Sequence, residues 1–267
     1  MKRILVLTDF SDTAKNAQQV GMRLAKKANC ELHIYHTIVT PIDWVKLSLD
    51  KERLYPEINE RIAKAKSEFS FLKVQCTGLK LNYKTHLSFD RGGENLPQFV
   101  IKNNCDLVII GSHGQNGIKK LMGSNTEHVI SHTQRPVLII KHGSKKSQFK
   151  ELIIGSDSKD EIIKLIRVVK DLTFFENCQI YFLTPNDLSS QIKDLIDVEL
   201  SSQKTNLVSV DEGNIITYIQ HLAARLKNPV VVNNHVGSSN FPINIFSENF
   251  GMTLHNLPDL SVLNVKI

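Results

Sequence analysis

Long apolar runs, paired cysteines and the common catalytic signatures are all missing from this chain of 267 residues. No stretch approaches the 18 or so apolar residues that mark a membrane span, so no membrane partner is expected. The start, Met1-Lys2-Arg3 followed by Ile4-Leu5-Val6-Leu7, is basic and then apolar. It breaks at Thr8-Asp9, too soon for the core of a signal peptide. Cys30, Cys76, Cys105 and Cys178 are scattered without C-x-x-C spacing. That excludes the usual zinc and disulfide frameworks and points to a reducing, cytoplasmic setting. With 13 Gly and 8 Pro, collagen-like and low-complexity scaffolds are excluded. Neither G-x-x-x-x-G-K-[ST] nor G-x-G-x-x-G occurs, which disfavours a P-loop NTPase and a dinucleotide oxidoreductase. No H-E-x-x-H, G-x-S-x-G, Cys–His pairing or paired acids stand out, so nothing here specifies a catalytic residue.

What is present is an uneven charge and an alternating pattern. Residues 1–148 hold 23 Lys and Arg against 13 Asp and Glu, a balance of +10; the rest holds 10 against 14, a balance of −4. A basic half suits an anionic partner. Its charges are dispersed without aromatic interleaving, however, which argues for a solvated surface and against nucleic acid.

Strand and helix signals alternate through the first half. Ile4–Thr8 is a short β-rich run, and Asp12-Thr13 opens an amphipathic helix carrying Ala14, Ala17, Val20, Leu24 and Ala28. Leu32–Ile38 reads as a strand, residues 47–71 as one long polar helix, Leu81–Leu87 as a strand and Leu96–Asn103 as a short helix. Leu107–Ile110 and Pro136–Ile140 are further strands, with a helix expected over Ser124–Ser131. Strands separated by helices imply βαβ units and a parallel sheet with right-handed crossovers. Lys141–Lys150 is polar and basic, a linker. Then the pattern restarts: Glu151-Leu152-Ile153-Ile154-Gly155-Ser156-Asp157 mirrors Arg3-Ile4-Leu5-Val6-Leu7-Thr8-Asp9. Ile180–Leu183, Leu207–Val210, Val230–Val232 and Leu260–Val265 supply strands; Asp187–Leu200 and Ile215–Leu226 supply helices. A tandem repeat of one small α/β domain follows, over residues 1–142 and 149–267. Each copy is expected to be a five-stranded, mostly parallel sheet with helices on both faces.

The densest chemical signal is Gly111-Ser112-His113-Gly114, then eight residues, then Gly123-Ser124-Asn125. It follows a buried strand and opens a helix, where glycines admit an anion and free N–H groups hold phosphate. Lys119 and Lys120 lie between. Ser124-x-x-Glu127 is equally a capping box, and the glycines equally make turns. Asp9, ending the first strand, can accept from an adenine amino group or a ribose hydroxyl; Asp9 or Asp12 can equally cap the first helix.

Thr8-Asp9-Phe10-Ser11, the His33-x-x-x-Thr37 strand end and the glycine loop together resemble the universal stress protein family. The resemblance is good over residues 1–142 and weaker over residues 149–267, where it gives a tandem form. It implies a Rossmann-like fold of the adenine nucleotide alpha hydrolase-like type, and ATP, with or without Mg, as ligand. By this resemblance the backbone of Leu7 and Thr8 and the side chain of Asp9 meet adenine and ribose. Thr37 and Ile110 flank the base. Gly111, His113, Gly114, Gly123, Ser124 and Asn125 surround ribose and phosphates. The family pattern has nine residues where this loop has eight. In the second copy, Ile245-Phe246-Ser247-Glu248-Asn249 stands where the first has Leu121-Met122-Gly123-Ser124-Asn125. Glu248 in place of Ser124 would repel phosphate. Pairing of the last strands, Val137–Ile140 with Val262–Val265, is implied within one chain, with a homodimer of such chains beyond it. The implied function is a non-catalytic, nucleotide-sensing stress module. A slow ATPase or nucleotide-dependent enzyme, and an interaction or dimerisation protein that binds no nucleotide, are the alternatives.

Overall fold

The computed structural model describes residues 1–90, 95–112, 133, 135–141, 149–211, 215–234 and 261–265. Its strands are β1 (Arg3–Leu7), β2 (Glu31–Val39), β3 (Tyr83–Asp90), β4 (Leu107–Ser112), β5 (Val137–Lys141), β6 (Glu151–Gly155), β7 (Gln179–Pro185), β8 (Thr205–Val210), β9 (Val230–Asn234) and β10 (Ser261–Val265). The helices among the described residues are α1 (Asp12–Ala28), α2 (Leu49–Glu52), α3 (Pro56–Gly78), α4 (Asn95–Lys102), α5 (Lys159–Asp171), α6 (Ser189–Glu199) and α7 (Ile215–Arg225).

The ten strands among the described residues form one sheet in the order β3-β2-β1-β4-β5-β10-β9-β6-β7-β8. Each half runs parallel within itself, and the halves meet at an antiparallel seam with Val262 opposite Ile139 and Leu263 opposite Leu138. The central strands are apolar on both faces, as a covered parallel sheet requires. Ile4, Leu5, Val6, Val108, Ile109, Leu138, Ile153 and Val231 are fully buried. Beside the seam, Lys27 at the end of α1 donates to the Phe174 carbonyl at 2.8 Å. This ties the first half to a buried aromatic cluster of Phe149, Phe174 and Phe175 in the second.

Two local readings of the sequence change. The long helix expected over residues 47–71 is broken. A single turn, α2, precedes α3, which begins with Pro56 in its first turn. Proline lacks an N–H and its ring clashes with the carbonyl four residues back, so it starts a helix and cannot continue one. Farther on, α3 runs to Gly78, since Leu72 and Cys76 continue its buried face. The helix expected over Asp187–Leu200 divides into a 3-10 turn at Asn186–Leu188 and α6. The helix expected over Ser124–Ser131 lies outside the described residues.

At the amino edge of the first half, Glu31 ties three strands together. Its carboxylate receives Arg3 and Lys84, both at 2.9 Å, and lies 3.1 Å from His33. Lys84 chiefly holds its pKa at about 2. The His33 and His86 rings lie 4.9 Å apart beneath Phe99, and burial pushes His86 down to about 4.

Candidate functional site

Strand order alone marks one place in the first half. From β1 the chain builds outward to β2 and β3, then returns to build β4 and β5 on the other side. In open α/β sheets, ligands bind beyond the carboxyl ends of strands at such a switch point. Val6 pairs with Ile109, so Ile110 stands level with Leu7, the last residue of β1, and Gly111 extends past it. Leu7 pairs with Tyr35, which puts Thr37 beside the turn that follows. The fold thus brings Leu7, Thr8, Asp9, Thr37, Ile110 and Gly111 to one edge. His113, Gly114, Gly123, Ser124 and Asn125, with Lys119 and Lys120, lie outside the described residues.

The turn from β1 into α1 is held from several sides. The Thr8 N–H donates to the Tyr35 carbonyl at 2.9 Å, adding one rung to the ladder. Thr8 Oγ1 accepts from the Phe10 N–H at 2.9 Å and from Gln18 Nε2 at 2.6 Å. Phe10 follows at φ 63°, a left-handed conformation, with its ring buried. Asp9 is exposed, and its Oδ1 accepts from the Ser11 N–H at 3.0 Å and the Ser11 hydroxyl at 2.6 Å. Ser11 in turn accepts from the Ala14 N–H and is the N-cap of α1. Neither Asp9 nor Asp12 caps the helix. Asp9 instead stands one step outside it, its carboxylate oriented by the residue that does.

Two flanking positions differ in character. Ile110 is buried, whereas Thr37 is half-buried and hydrogen-bonds with the Tyr35 hydroxyl, which Ser88 also contacts. Burial raises the pKa of that phenol. Gly111 is required by close approach: a Cβ there would stand 2.6 Å from the Thr13 carbonyl oxygen, a backbone atom of the first turn of α1. The absent side chain lets the end of β4 lie against the start of α1. His36 and Gln18 also build this edge, together with Phe10 of the Thr8-Asp9-Phe10-Ser11 motif. Their contacts join distant segments, and only the aromatic identity of Phe10, next to Asp9, hinted at them.

The matching edge of the second half is built differently. Ser158 caps α5, accepting from the Glu161 N–H at 3.4 Å. The Glu161 carboxylate accepts the hydrogen of the Ser156 hydroxyl, and Ser156 accepts from the Ser158 N–H at 3.0 Å. Above Gly155, which aligns with Leu7, sit the buried side chains of Ile215 and Ile219. A Cβ on Gly155 would meet them at 3.0 and 2.7 Å. Glu248 and its neighbours Ile245–Asn249 lie outside the described residues. Among the described residues, no group of three or more His, Cys, Asp or Glu is placed to hold a metal ion, and no helix is long and apolar enough to cross a membrane.

Comparison with known proteins agrees with this geometry. The sequence profile of the Universal stress protein family matches residues 1–141. Universal stress protein MJ0531 of Methanocaldococcus jannaschii is 28% identical over 149 residues, covering 54% of this chain and 85% of that protein. Universal stress protein MJ0577 of the same organism is 29% identical over 154 residues, covering 52% and 94%. A crystal structure of a universal stress protein from Archaeoglobus fulgidus matches the fold from end to end. Its TM-score is 0.65 at 16% identity, covering 99% of this chain and 98% of that one.

Proposed function

Because this chain belongs to the universal stress protein family, we propose that residues 1–142 form an ATP-binding domain and residues 149–267 a degenerate domain of the same kind. The pair acts as a cytoplasmic, non-catalytic nucleotide-sensing module. The observation that carries this reading is Asp9, an exposed carboxylate at the β1/β4 switch point, oriented by Ser11 and flanked by Thr37 and Ile110. Its acceptor oxygens suit the hydroxyl and amino donors of adenosine, and the backbone of Leu7 and Thr8 lines the same edge. Gly111 lies near the end of β4, and the same reading assigns His113, Gly114, Gly123, Ser124 and Asn125 to ribose and phosphates. Four buried free thiols accord with a reducing compartment. No residue of this chain is assigned to magnesium.

In the second domain, Glu161 occupies the first turn of α5 with a carboxylate, and Ile215 and Ile219 cover the strand end. The isoleucine cover over the strand end opposes a nucleotide there, and Glu248 in place of Ser124 would repel its phosphates. Denaturing a fresh preparation and chromatographing the supernatant should release adenine nucleotide. Titration calorimetry on the stripped protein should then give one ATP site per chain. Release of no nucleotide together with no heat of binding would leave an interaction protein in its place.

A further inference from the structure

One side chain grips the β1–α1 turn from a neighbouring strand and has no role in the adenosine reading as it stands. His36, on β2, places Nδ1 2.7 Å from the Thr8 carbonyl oxygen. A carbonyl only accepts, so Nδ1 carries the hydrogen. The same imidazole lies 4.6 Å, centroid to centroid, from the ring of Phe10, and Phe69 closes on Phe10 from another side at 5.4 Å. Phe10 is the one aromatic residue at positive φ among the described residues; the other non-glycine residues there are Asn29, Lys80, Asn104 and Asn228. A bulky side chain persists in that conformation only where its surroundings over-determine it. Here the surroundings are His36 and Phe69 on the ring, and Thr8 Oγ1 on the Phe10 N–H. Asp9 stands between the two residues that His36 holds.

We infer that His36 is a positioning residue for nucleotide binding: by holding the Thr8 carbonyl and the Phe10 ring, it sets the direction in which the Asp9 carboxylate leaves the turn. This rests on Asp9 being the partner of adenosine. Two charged groups face the imidazole, Asp9 from the turn and Arg61 from α3. Arg61 is itself anchored on the Val39 carbonyl at 3.0 Å. Burial, with a smaller push from Arg61, lowers the pKa of His36 against the opposing pull of the Thr8 carbonyl and Asp9, which favours a neutral ring donating through Nδ1.

The test uses His36→Phe, which keeps a ring against Phe10 and loses the donor, and His36→Asn, whose amide N–H takes the place of Nδ1–H. Titration with AMP, ADP and ATP should show His36→Phe weakened by the same factor for all three, about tenfold for one lost hydrogen bond. His36→Asn should recover to within about threefold of the parent. In the unliganded protein, the backbone amide resonances of Phe10 and Ser11 should move in His36→Phe and return in His36→Asn. If both variants only melt lower, with affinities and those resonances at parental values, the positioning role is overturned. A parent that binds no nucleotide sinks the adenosine reading instead, and the amide resonances then decide alone whether His36 sets the turn.

Discussion

The two halves share a strand order and part company within one turn of their first long helices. In the first half the carboxylate, Asp9, stands before the cap and faces outward, and Ala14 occupies the third helical position. In the second half the third position is Glu161, whose carboxylate folds back onto Ser156. Both arrangements satisfy a helix start, which needs acceptors for its free N–H groups. Each first turn carries acid, Asp12 in the first half and Asp160 with Glu161 in the second, but only the second turns a carboxylate back over the strand end, onto Ser156. The sheet sets where a site is possible, and the direction in which the carboxylates beside it point distinguishes the two strand ends.

The strongest way to break this comparison is steric. Gly111→Ala drives a Cβ against the Thr13 backbone carbonyl, which has nowhere to go, whereas Gly155→Ala meets the ends of isoleucine side chains that can rotate. We expect a loss of about 3 kcal/mol for the first and about 1 kcal/mol for the second, read as denaturant midpoints. Equal losses would show that the two strand ends are packed alike.

Next in size is binding. Asp9→Ala should weaken ATP, ADP and AMP alike by about 1.5–3 kcal/mol, roughly ten- to a hundredfold, since all three share adenosine. Asp157→Ala should leave the titration unchanged. Ser124→Ala should instead weaken ATP more than AMP, because only the longer ligand reaches a phosphate contact. A nucleotide-dependent effect of Asp157→Ala would make the second half a site after all.

Acid separates the halves more gently. His86, in the first half, titrates near 4 when folded against an ordinary 6.5, chiefly because of burial. The unfolded chain therefore takes its proton first. The stability from this group is complete above pH 6.5 and is lost as the pH falls toward 4. The slope stays below about 1.4 kcal/mol per pH unit for one proton. Hydrogen exchange between pH 7 and pH 4.5 should loosen the amides of β2, β3 and α4 before those of β6 and β7. His86→Phe should remove the difference. The smallest effect is expected at the caps, where Ser11→Ala and Ser158→Ala should each cost about 1 kcal/mol of thermal stability.

The frame of this molecule was readable because parallel strands covered on both faces leave continuous apolar runs. Ile4–Leu7, Val108–Ile110 and Val137–Ile140 show their place without any partner. Asp9 was readable too, as an acid at a strand end. Its exclusion from the cap was not, because Asp9, Ser11 and Asp12 are all good capping types and only geometry selects Ser11. Pro56 was the visible sign that the long helix is broken; hydrophobic spacing on both sides of it concealed the break. His36 was hidden for another reason. Its partner, Thr8, is 28 residues away and offers a backbone carbonyl, a group every residue has.

Because β5 and β10 belong to one polypeptide, their pairing is a first-order event that dilution does not undo. Two identical chains meeting at such a seam would carry every substitution alike. Joined end to end, the copies mutate independently while their stoichiometry stays locked at one to one. The seam converts a symmetric contact between equals into a permanent union of two non-identical members, in which one can be rewritten without altering its neighbour.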